Sequence, residues 1–239
     1  MLLKFFKQKL RQYRLARAGV LDEEAHPPTM VGDWPVWPDA VHAGSVVYSF
    51  GVGDNIQWDR AMIERFGVTV HAFDPTPASI AWLKTQQVPK QFVFHDCGIS
   101  DYDGTMDFYP PSRENNPHYS QERRGRLFDK RPPVQGKVNR LETIMRKLGH
   151  QRLDVLKLDV EGSEFEAVPD FIGSGIEVDQ LLIEIHYQFR SRSFRQGLEL
   201  IDRIKSNGIQ CNYVSDRGYE FTFVRRGLKA ATRPIRKSA

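Results

Sequence analysis

Cysteines and long apolar runs are scarce in this sequence of 239 residues. Its two cysteines, Cys97 and Cys211, lie far apart in no metal-binding or redox spacing, so we expect a reducing compartment and no disulfide framework. No apolar run approaches the ~20 residues that are needed to span a bilayer. Lys4 and Lys7 interrupt the first apolar residues, which therefore lack the continuous core of a secretory signal. The sequence predicts a cytoplasmic protein.

Acidic residues are missing from both ends of the chain. Residues 1–20 contain six basic residues (Lys or Arg) and no acidic residue, and residues 225–239 also contain six basic residues and no acidic residue. The middle of the chain therefore holds 22 bases against 30 acids, a net charge of −8. An acidic body with two basic ends argues against a nucleic-acid-binding protein, which would carry its basic face on the fold itself.

Residues 1–20 are predicted to form a basic amphipathic helix. It has an apolar stripe and a basic one: Leu2, Leu3, Phe6, Leu10 and Tyr13 against Lys4, Lys7, Arg11 and Arg14. Such a helix can lie on an anionic membrane surface, so one interpretation is peripheral membrane contact through the basic termini. The other is a helix that packs its apolar side on the domain or on a neighbouring subunit. Residues 226–239 are predicted to be a basic tail.

Residues 45–225 are predicted to form one α/β domain. After a strap rich in Pro and Trp at 21–44, five strands alternate with helices, and a β-hairpin closes the domain around Gly218. Repeated βα units predict a mostly parallel sheet with helices on both faces, and the hairpin makes the last strand antiparallel. Ligands of such a sheet bind at the carboxyl ends of its strands. Five informative residues are predicted at that edge: Gly51, Asp74, Asp96, Asp159 and His186.

A glycine turn, Gly51-Val52-Gly53-Asp54, follows the first strand of this domain and precedes a helical pattern. The turn can present backbone N–H groups to a ligand, and Asp74 is spaced to accept hydrogen bonds from ribose hydroxyls. A dinucleotide-binding motif would need a third glycine, which is missing. We therefore predict S-adenosylmethionine as cofactor, with its amino group on Asp54 or on carbonyls of the turn. The predicted cofactor-binding residues are Gly51, Val52, Gly53, Asp54, Asp74, Pro75, Asp96, Cys97 and Asp159.

Residues 110–137 show no periodicity and are polar and basic, which is typical of a lid or a substrate loop. Arg113 and His118 in this loop are candidate substrate-binding residues for an acidic or phosphorylated acceptor, and Tyr187 is a third candidate. Three further arginines of the loop share this interpretation: Arg123, Arg124 and Arg126. The alternative is a solvated basic loop without a role in binding.

Four segments of the sequence resemble the FkbM-type S-adenosylmethionine-dependent methyltransferases. They are Tyr48-Ser49-Phe50-Gly51-Val52-Gly53-Asp54, His71-Ala72-Phe73-Asp74-Pro75-Thr76-Pro77, Leu156-Lys157-Leu158-Asp159-Val160-Glu161-Gly162-Ser163-Glu164 and Ile183-Glu184-Ile185-His186. The third segment is the most specific. The resemblance covers about residues 45–225 and implies the class I methyltransferase (Rossmann-like) fold, with a seven-stranded sheet and an antiparallel seventh strand. It also implies methyl transfer, usually to an oxygen of a sugar or another small molecule.

Asp159, Glu161 and His186 are the candidate catalytic residues. Asp159 and His186 follow adjacent predicted strands, and a histidine titrates near neutrality, so His186 is the predicted base for a hydroxyl acceptor. Asp159 is predicted to orient His186 or the acceptor. These residues and Glu184 include metal-ligating types, but no spacing matches a metal motif, and no metal is predicted. The competing interpretations are an NAD(P)-dependent Rossmann oxidoreductase and a non-catalytic methyltransferase-like binding module.

Overall fold

A computed structural model describes residues 2–22, 28–111, 118–122 and 131–230. The helices are α1 (Leu2–Arg17), α2 (Gln57–Phe66), α3 (Pro77–Leu83), α4 (Leu141–Leu148), α5 (Glu164–Gly173) and α6 (Phe194–Ser206). The strands are β1 (Thr29–Val31), β2 (Trp34–Val36), β3 (Val46–Phe50), β4 (Thr69–Phe73), β5 (Phe92–His95), β6 (Gly98–Ile99), β7 (Gly104–Phe108), β8 (Val134–Asn139), β9 (Leu153–Leu158), β10 (Val178–Glu184), β11 (Ile209–Val214) and β12 (Glu220–Arg225). Within the described ranges, none of these helices has the length and apolar character to cross a bilayer.

A large mixed sheet organises the domain. Its seven strands lie in the order β11-β12-β10-β9-β3-β4-β5. The pairs from β10 to β5 are all parallel, whereas β12 is antiparallel to both of its neighbours. The predicted closing hairpin is therefore confirmed, and its return strand lies between β10 and β11. Because the chain leaves β3 towards β4 on one side and later returns to β9 on the other, the sheet order reverses at β3. Ligands of α/β sheets bind beside such a reversal.

Helices cover both faces of the sheet. Successive apolar side chains of a strand point to opposite faces, so each face has its own hydrophobic core. Tyr48 and Phe50 of β3 belong to a core that also contains apolar residues of α4, α5 and α6. Val47 belongs to the other core, which contains residues of α2 together with β1 and β2. Strands that are buried on both faces need nearly continuous apolar sequence, and β3 and β9 provide it. A charged residue within either strand is therefore conspicuous.

Part of the strap at 21–44 has regular secondary structure, which its Pro- and Trp-rich composition did not indicate. β1 and β2 form an antiparallel pair, and a 3₁₀ turn follows at Pro38–Ala40. Trp34 and Trp37 are buried, and the Gln180 side chain exchanges two hydrogen bonds with the backbone of Trp37. The end of the predicted 110–137 loop is likewise regular, since β8 begins at Val134 and pairs with β7. β1 and β2 have three residues each, which is too short to show periodicity. β8 is the middle strand of a second, three-stranded sheet with β6 and β7, and its polar sequence hid it.

Two local features of the helices depart from simple sequence rules. Asn139, a residue type that often caps helices, is the last residue of β8, and Arg140 occupies the cap position of α4. α5 contains Pro169 but continues to Gly173. An internal proline costs a helix about 3 kcal/mol. Ala167, Val168 and Phe171 are almost completely buried on either side of it, and we attribute the persistence of the helix to this packing.

Candidate functional site

Gly51 lies where β3 turns beneath the end of β9. Its φ is +89°, and a Cβ atom there would lie 1.8 Å from the carbonyl oxygen of Asp159. Two backbone hydrogen bonds fix the turn, because Gly51 N–H donates to Phe73 at 3.0 Å and Asp159 N–H donates to Phe50 at 3.0 Å. Only a residue without a side chain fits between these strands. The predicted glycine turn therefore joins the ends of β3, β4 and β9.

Asp74 faces this turn from the end of β4. Its Oδ2 accepts a hydrogen bond from Gly53 N–H at 3.0 Å. Its Oδ1 accepts from the backbone N–H of Thr76 at 2.9 Å and from the Thr76 hydroxyl at 2.7 Å. Since a carboxylate offers about four acceptor sites, one on Oδ2 remains for a ligand. Asp74 is 5% exposed, and that exposed part faces a cavity.

A cavity, called here the donor cavity, opens between the glycine turn and Asp74. Most of the predicted cofactor-binding residues line it: Gly51, Val52, Gly53, Asp74, Pro75 and Asp159. Asp54, Asp96 and Cys97 do not, and the first two have exposed side chains. They follow the right strands, but their side chains point elsewhere. Gly98, Ile99 and Phe108 take their place in the wall.

The wall of the donor cavity contains two buried ionisable residues of opposite type, Lys157 and Asp59, which the sequence pattern did not single out. Lys157, in β9, is 6% exposed, and Asp59, in α2, is 2% exposed. Burial raises the pKa of Asp59 above its ordinary value, and the positive charge of Lys157 opposes that rise. The Lys157 ammonium also lies 5.0 Å from the centre of the Trp34 ring and 6.0 Å from that of Trp58. A lysine between two leucines of the buried strand β9 was the signal for these residues.

Two polar atoms in this wall lack partners. Within the described ranges, the buried Nε1 of Trp58 donates no hydrogen bond, and Oδ1 of Asp59 accepts none of normal geometry, although the nearby Ser49 hydroxyl helps to lower the pKa of this carboxyl. Buried polar groups in native proteins are almost always hydrogen-bonded, so such orphans call for a ligand or a water molecule. Both residues line the donor cavity.

His186 lies at the centre of a group of carboxylates at the ends of β9 and β10. Its Nδ1 lies 3.1 Å from Oε1 of the fully buried Glu164, which also accepts the His186 backbone N–H at 2.7 Å. Its Nε2 lies 3.2 Å from Glu161, 3.9 Å from Asp159 and 4.0 Å from Glu184. The structure thus brings together the three predicted catalytic residues.

The charges in this group shift the pKa values of its members. Burial alone would lower the pKa of His186, but Glu164, followed by Glu161 and Glu184, raises it to about 10. Burial tends to raise the pKa of Glu164, but His186 outweighs burial and lowers it. Burial and then Asp159 raise the pKa of Glu184 to about 7. His186 therefore carries its proton near neutral pH.

Glu161 adopts a backbone conformation that side chains seldom take. Its φ is +51°, and it is the one residue other than glycine with a positive φ in the described ranges. Such conformations cost about 1–3 kcal/mol and cluster at functional sites. The turn points the Glu161 carboxylate at His186 on one side and at His118 Nδ1, 3.5 Å away, on the other.

A second cavity of about 660 Å³, called here the acceptor cavity, adjoins the first. The two share five residues of their walls: Asp33, Trp34, His118, Asp159 and Glu161. The remainder of the acceptor cavity includes Glu184 and the turn between β11 and β12. His186 is 3% exposed and belongs to the wall of neither cavity in the described part of the chain. It lies behind the carboxylates rather than beside a bound molecule.

The predicted substrate-binding residues have three different outcomes. His118 lines both cavities. Tyr187 is a core residue instead: it is 6% exposed, packs against Phe194 and Tyr219, and donates a hydrogen bond to the Gly218 carbonyl. It follows His186 directly, but neighbouring residues point to opposite sides, and α6 and the hairpin cover its side. Arg113 lies outside the described residues, as do Arg123, Arg124 and Arg126.

Asp159, Glu184 and His186 are also the described residues that could hold a metal ion, since one ligand atom from each lies within 4.8 Å of the others. Asp159 follows a different strand, 25 residues before Glu184, which explains why spacing alone did not reveal the group. Nδ1 of His186 already contacts Glu164, an arrangement that also orients metal-binding histidines.

An α/β sheet with a glycine turn, an acid after the next strand and two adjoining cavities is the arrangement expected of a methyltransferase. The chain belongs to the Methyltransferase FkbM domain family, whose profile matches residues 46–221. This match leaves α1 and the basic C-terminal residues outside the family domain.

Three relatives are named as methyltransferases. The probable methyltransferase-like protein 24 of Homo sapiens is 25% identical over 142 residues, and that of Rattus norvegicus is 27% identical over the same length. In both comparisons the match covers 59% of this chain and 32% of the relative. The 31-O-demethyl-FK506 methyltransferase FkbM of Streptomyces tacrolimicus is 27% identical over 176 residues, or 60% of this chain and 66% of the relative. No solved structure matches the chain.

Proposed function

We propose that this protein transfers a methyl group from S-adenosylmethionine to a hydroxyl group of a sugar, a glycan or another small molecule. The observation that carries this proposal is the donor cavity, in which the glycine turn and the Asp74 carboxylate face one another. S-adenosylmethionine supplies an electrophilic methyl group on a sulfonium centre. Family membership supports the reaction type, and the adjoining acceptor cavity provides space for the second reactant.

The residues of the donor cavity fit this cofactor at both of its ends. The free acceptor site of Asp74 suits a ribose hydroxyl, and Gly98, Ile99 and Phe108 offer an apolar wall for the adenine. Asp59 and Lys157 suit the amino-acid end, which carries one ammonium and one carboxylate. An ammonium that faces Asp59 and a carboxylate that faces Lys157 would each bring an opposite charge to a buried side chain. The unpartnered Nε1 of Trp58 and Oδ1 of Asp59 would also find partners there.

The acceptor cavity suits a neutral or cationic molecule. Its wall contains six acidic residues, Asp33, Asp159, Glu161, Glu184, Asp216 and Glu220, against Arg217 as its one arginine or lysine among the described residues. This excess of negative charge opposes a phosphorylated acceptor and a nucleic acid. A sugar hydroxyl suits it better, because carboxylates accept hydrogen bonds from hydroxyls.

We assign removal of the acceptor proton to Asp159 or Glu161, because both line the boundary between the two cavities. A base must lie within hydrogen-bond reach of the proton that it takes. The sequence-based choice, His186, is buried behind these carboxylates and pairs with Glu164 and Glu161. Its position supports an orienting role, in which the imidazolium holds the Glu161 carboxylate towards the acceptor.

The first test is the binding of S-adenosylhomocysteine, measured by isothermal titration calorimetry. The wild-type protein should bind it, and Asp74→Asn should weaken binding about tenfold or more, since a hydrogen bond to a charged group is lost. Asp54→Asn is the matched control, because that exposed carboxylate lies outside the cavity and should leave affinity unchanged. If the protein bound NADH but did not bind S-adenosylhomocysteine, the oxidoreductase interpretation would be favoured instead.

A second test measures how much the amino-acid end of the cofactor contributes to binding, separately from the nucleoside end. The double variant Asp59→Asn/Lys157→Met removes both buried charges together, so neither is left uncompensated. We expect its affinity for S-adenosylhomocysteine to fall about tenfold or more. Its affinity for 5′-methylthioadenosine, which lacks the amino-acid group, should remain that of the wild type. An equal loss for both ligands would contradict the assignment of Asp59 and Lys157.

A further inference from the structure

α1 is attached to the domain along one side only. Gln8 and Gln12 donate side-chain hydrogen bonds to the carbonyls of Asp216 and Ser215 at 2.9 and 2.6 Å, and Arg11 donates to the carbonyl of Arg217. Leu15 on the same side is 2% exposed and belongs to the core. This attachment fixes how the helix is rotated about its axis, and therefore which residues it presents to solvent.

The opposite side of α1 is an exposed apolar stripe, formed by Phe6, Leu10 and Tyr13, which recur at intervals of four and three residues. They are 67%, 48% and 59% exposed, and Phe5 beside them is 58% exposed. Half of the eight large hydrophobic residues exposed in the described chain lie on this one helix. Scattered exposed apolar residues are normal, but a contiguous group marks an interaction surface.

Positive charges flank the apolar stripe. Lys7, Lys9 and Arg17 are exposed, as is Arg14, whose guanidinium lies 3.9 Å from the centre of the Phe194 ring, and α1 contains no acidic residue. A second copy of this chain would bring like charges together across the interface, which opposes self-association through this surface. An apolar stripe between cations instead matches the boundary of a bilayer, where acyl chains meet anionic headgroups.

We infer that α1 docks the protein on an anionic phospholipid surface, with Phe6, Leu10 and Tyr13 inserted among the acyl chains and the flanking cations at the headgroups. The same helix holds the turn at 215–217, whose residues Ser215, Asp216 and Arg217 line the acceptor cavity. Docking therefore brings that cavity close to the bilayer. If the proposed function holds, the enzyme reaches its hydroxyl acceptor at the membrane surface, and an acceptor attached to a lipid fits this placement.

The experiment is flotation of the full chain with phosphatidylcholine vesicles, with and without phosphatidylserine. We expect binding to the anionic vesicles, little binding to the neutral ones, and a marked loss when the salt concentration is raised. The triple variant Phe6→Ser/Leu10→Ser/Tyr13→Ser should bind the anionic vesicles at least tenfold more weakly, because it removes the apolar contribution. Its three positions are exposed, so the fold should persist, and S-adenosylhomocysteine binding serves as a check that does not involve lipid.

The matched control is Met30→Ser/Val88→Ser/Tyr102→Ser, which removes three exposed hydrophobic residues elsewhere and should bind vesicles like the wild type. Equal binding by the wild type and the α1 variant would overturn the inference. So would equal binding to neutral vesicles, or a dimer seen by sedimentation velocity that the α1 variant dissociates. Failure of vesicle binding alone leaves the methyltransferase proposal intact, because the calorimetric tests of the cofactor are independent of it.

Discussion

Gly51→Ala should abolish measurable S-adenosylhomocysteine binding and lower the free energy of unfolding by roughly 4 kcal/mol. The added methyl group would lie 1.8 Å from the Asp159 carbonyl oxygen, so the ends of β3 and β9 would have to separate. The change also places a Cβ in a left-handed conformation, which costs about 1–2 kcal/mol by itself. Chemical denaturation measures the stability, and calorimetry measures the binding.

Gly53→Ala is the control for this substitution. Gly53 also has a positive φ, +54°, but the nearest atom to its added Cβ would be on the His118 ring at 3.7 Å, an ordinary contact. We expect a loss of only about 1–2 kcal/mol, which is the conformational cost without the collision. Equal losses at the two positions would show that the contact between Gly51 and Asp159 is not what makes the turn intolerant.

Glu164→Gln should lower the free energy of unfolding by about 3–5 kcal/mol near neutral pH, because it leaves the buried His186 imidazolium without its strongest partner. Glu164 is fully buried, and its carboxylate contacts the His186 side chain, the His186 backbone N–H and the Gly162 backbone N–H. Denaturation by urea at several pH values measures the effect. Glu166→Gln, in the same helix but with a partly exposed pair to Arg192, should cost less than about 1 kcal/mol.

The pH dependence of this loss has a definite sign. The folded pKa of His186 is raised to about 10, so its stabilisation of the fold is complete below its unfolded pKa, about 6.5, and disappears as pH rises through 10. The difference in stability between the wild type and Glu164→Gln should therefore shrink between pH 7 and 10. The lowered pKa of Glu164 affects stability at acidic pH instead. The stabilisation from Glu164 is complete above its ordinary pKa and is lost as pH falls through its lower, folded pKa. A difference that grew towards pH 10 would contradict the pairing.

The sheet could be predicted from the sequence because its signals are local. β3, β4 and β9 are apolar runs bounded by turns, and the hairpin of β11 and β12 surrounds Gly218. Asp74 could be recognised from its spacing to the glycine turn, since the carboxyl ends of adjacent parallel strands meet at one edge. The same reasoning proposed Asp54 and Asp96 as cofactor-binding residues, but both are exposed and neither lines the cavity, because position along the chain does not determine the direction of a side chain.

The partners within the site depend on tertiary packing, which the sequence pattern did not contain. Glu164 and His186 are 22 residues apart on different elements, and their contact is buried between α5 and β10. Lys157 and Asp59 are further apart still, and the charge of Lys157 acts on Asp59 because α2 packs over β9. Tyr187 looked like a binding residue because it follows His186, yet α6 and the hairpin enclose it. In each case, the sequence gives the residue type but does not show which residue contacts it in the folded protein.

The close contact between Gly51 and Asp159 bears on how the two reactants are aligned. Through it, the turn that we propose beneath the methyl donor packs directly against the strand end that carries Asp159, and two backbone hydrogen bonds hold this arrangement. If the proposed function holds, the backbone on the donor side and on the acceptor side is positioned before either molecule binds.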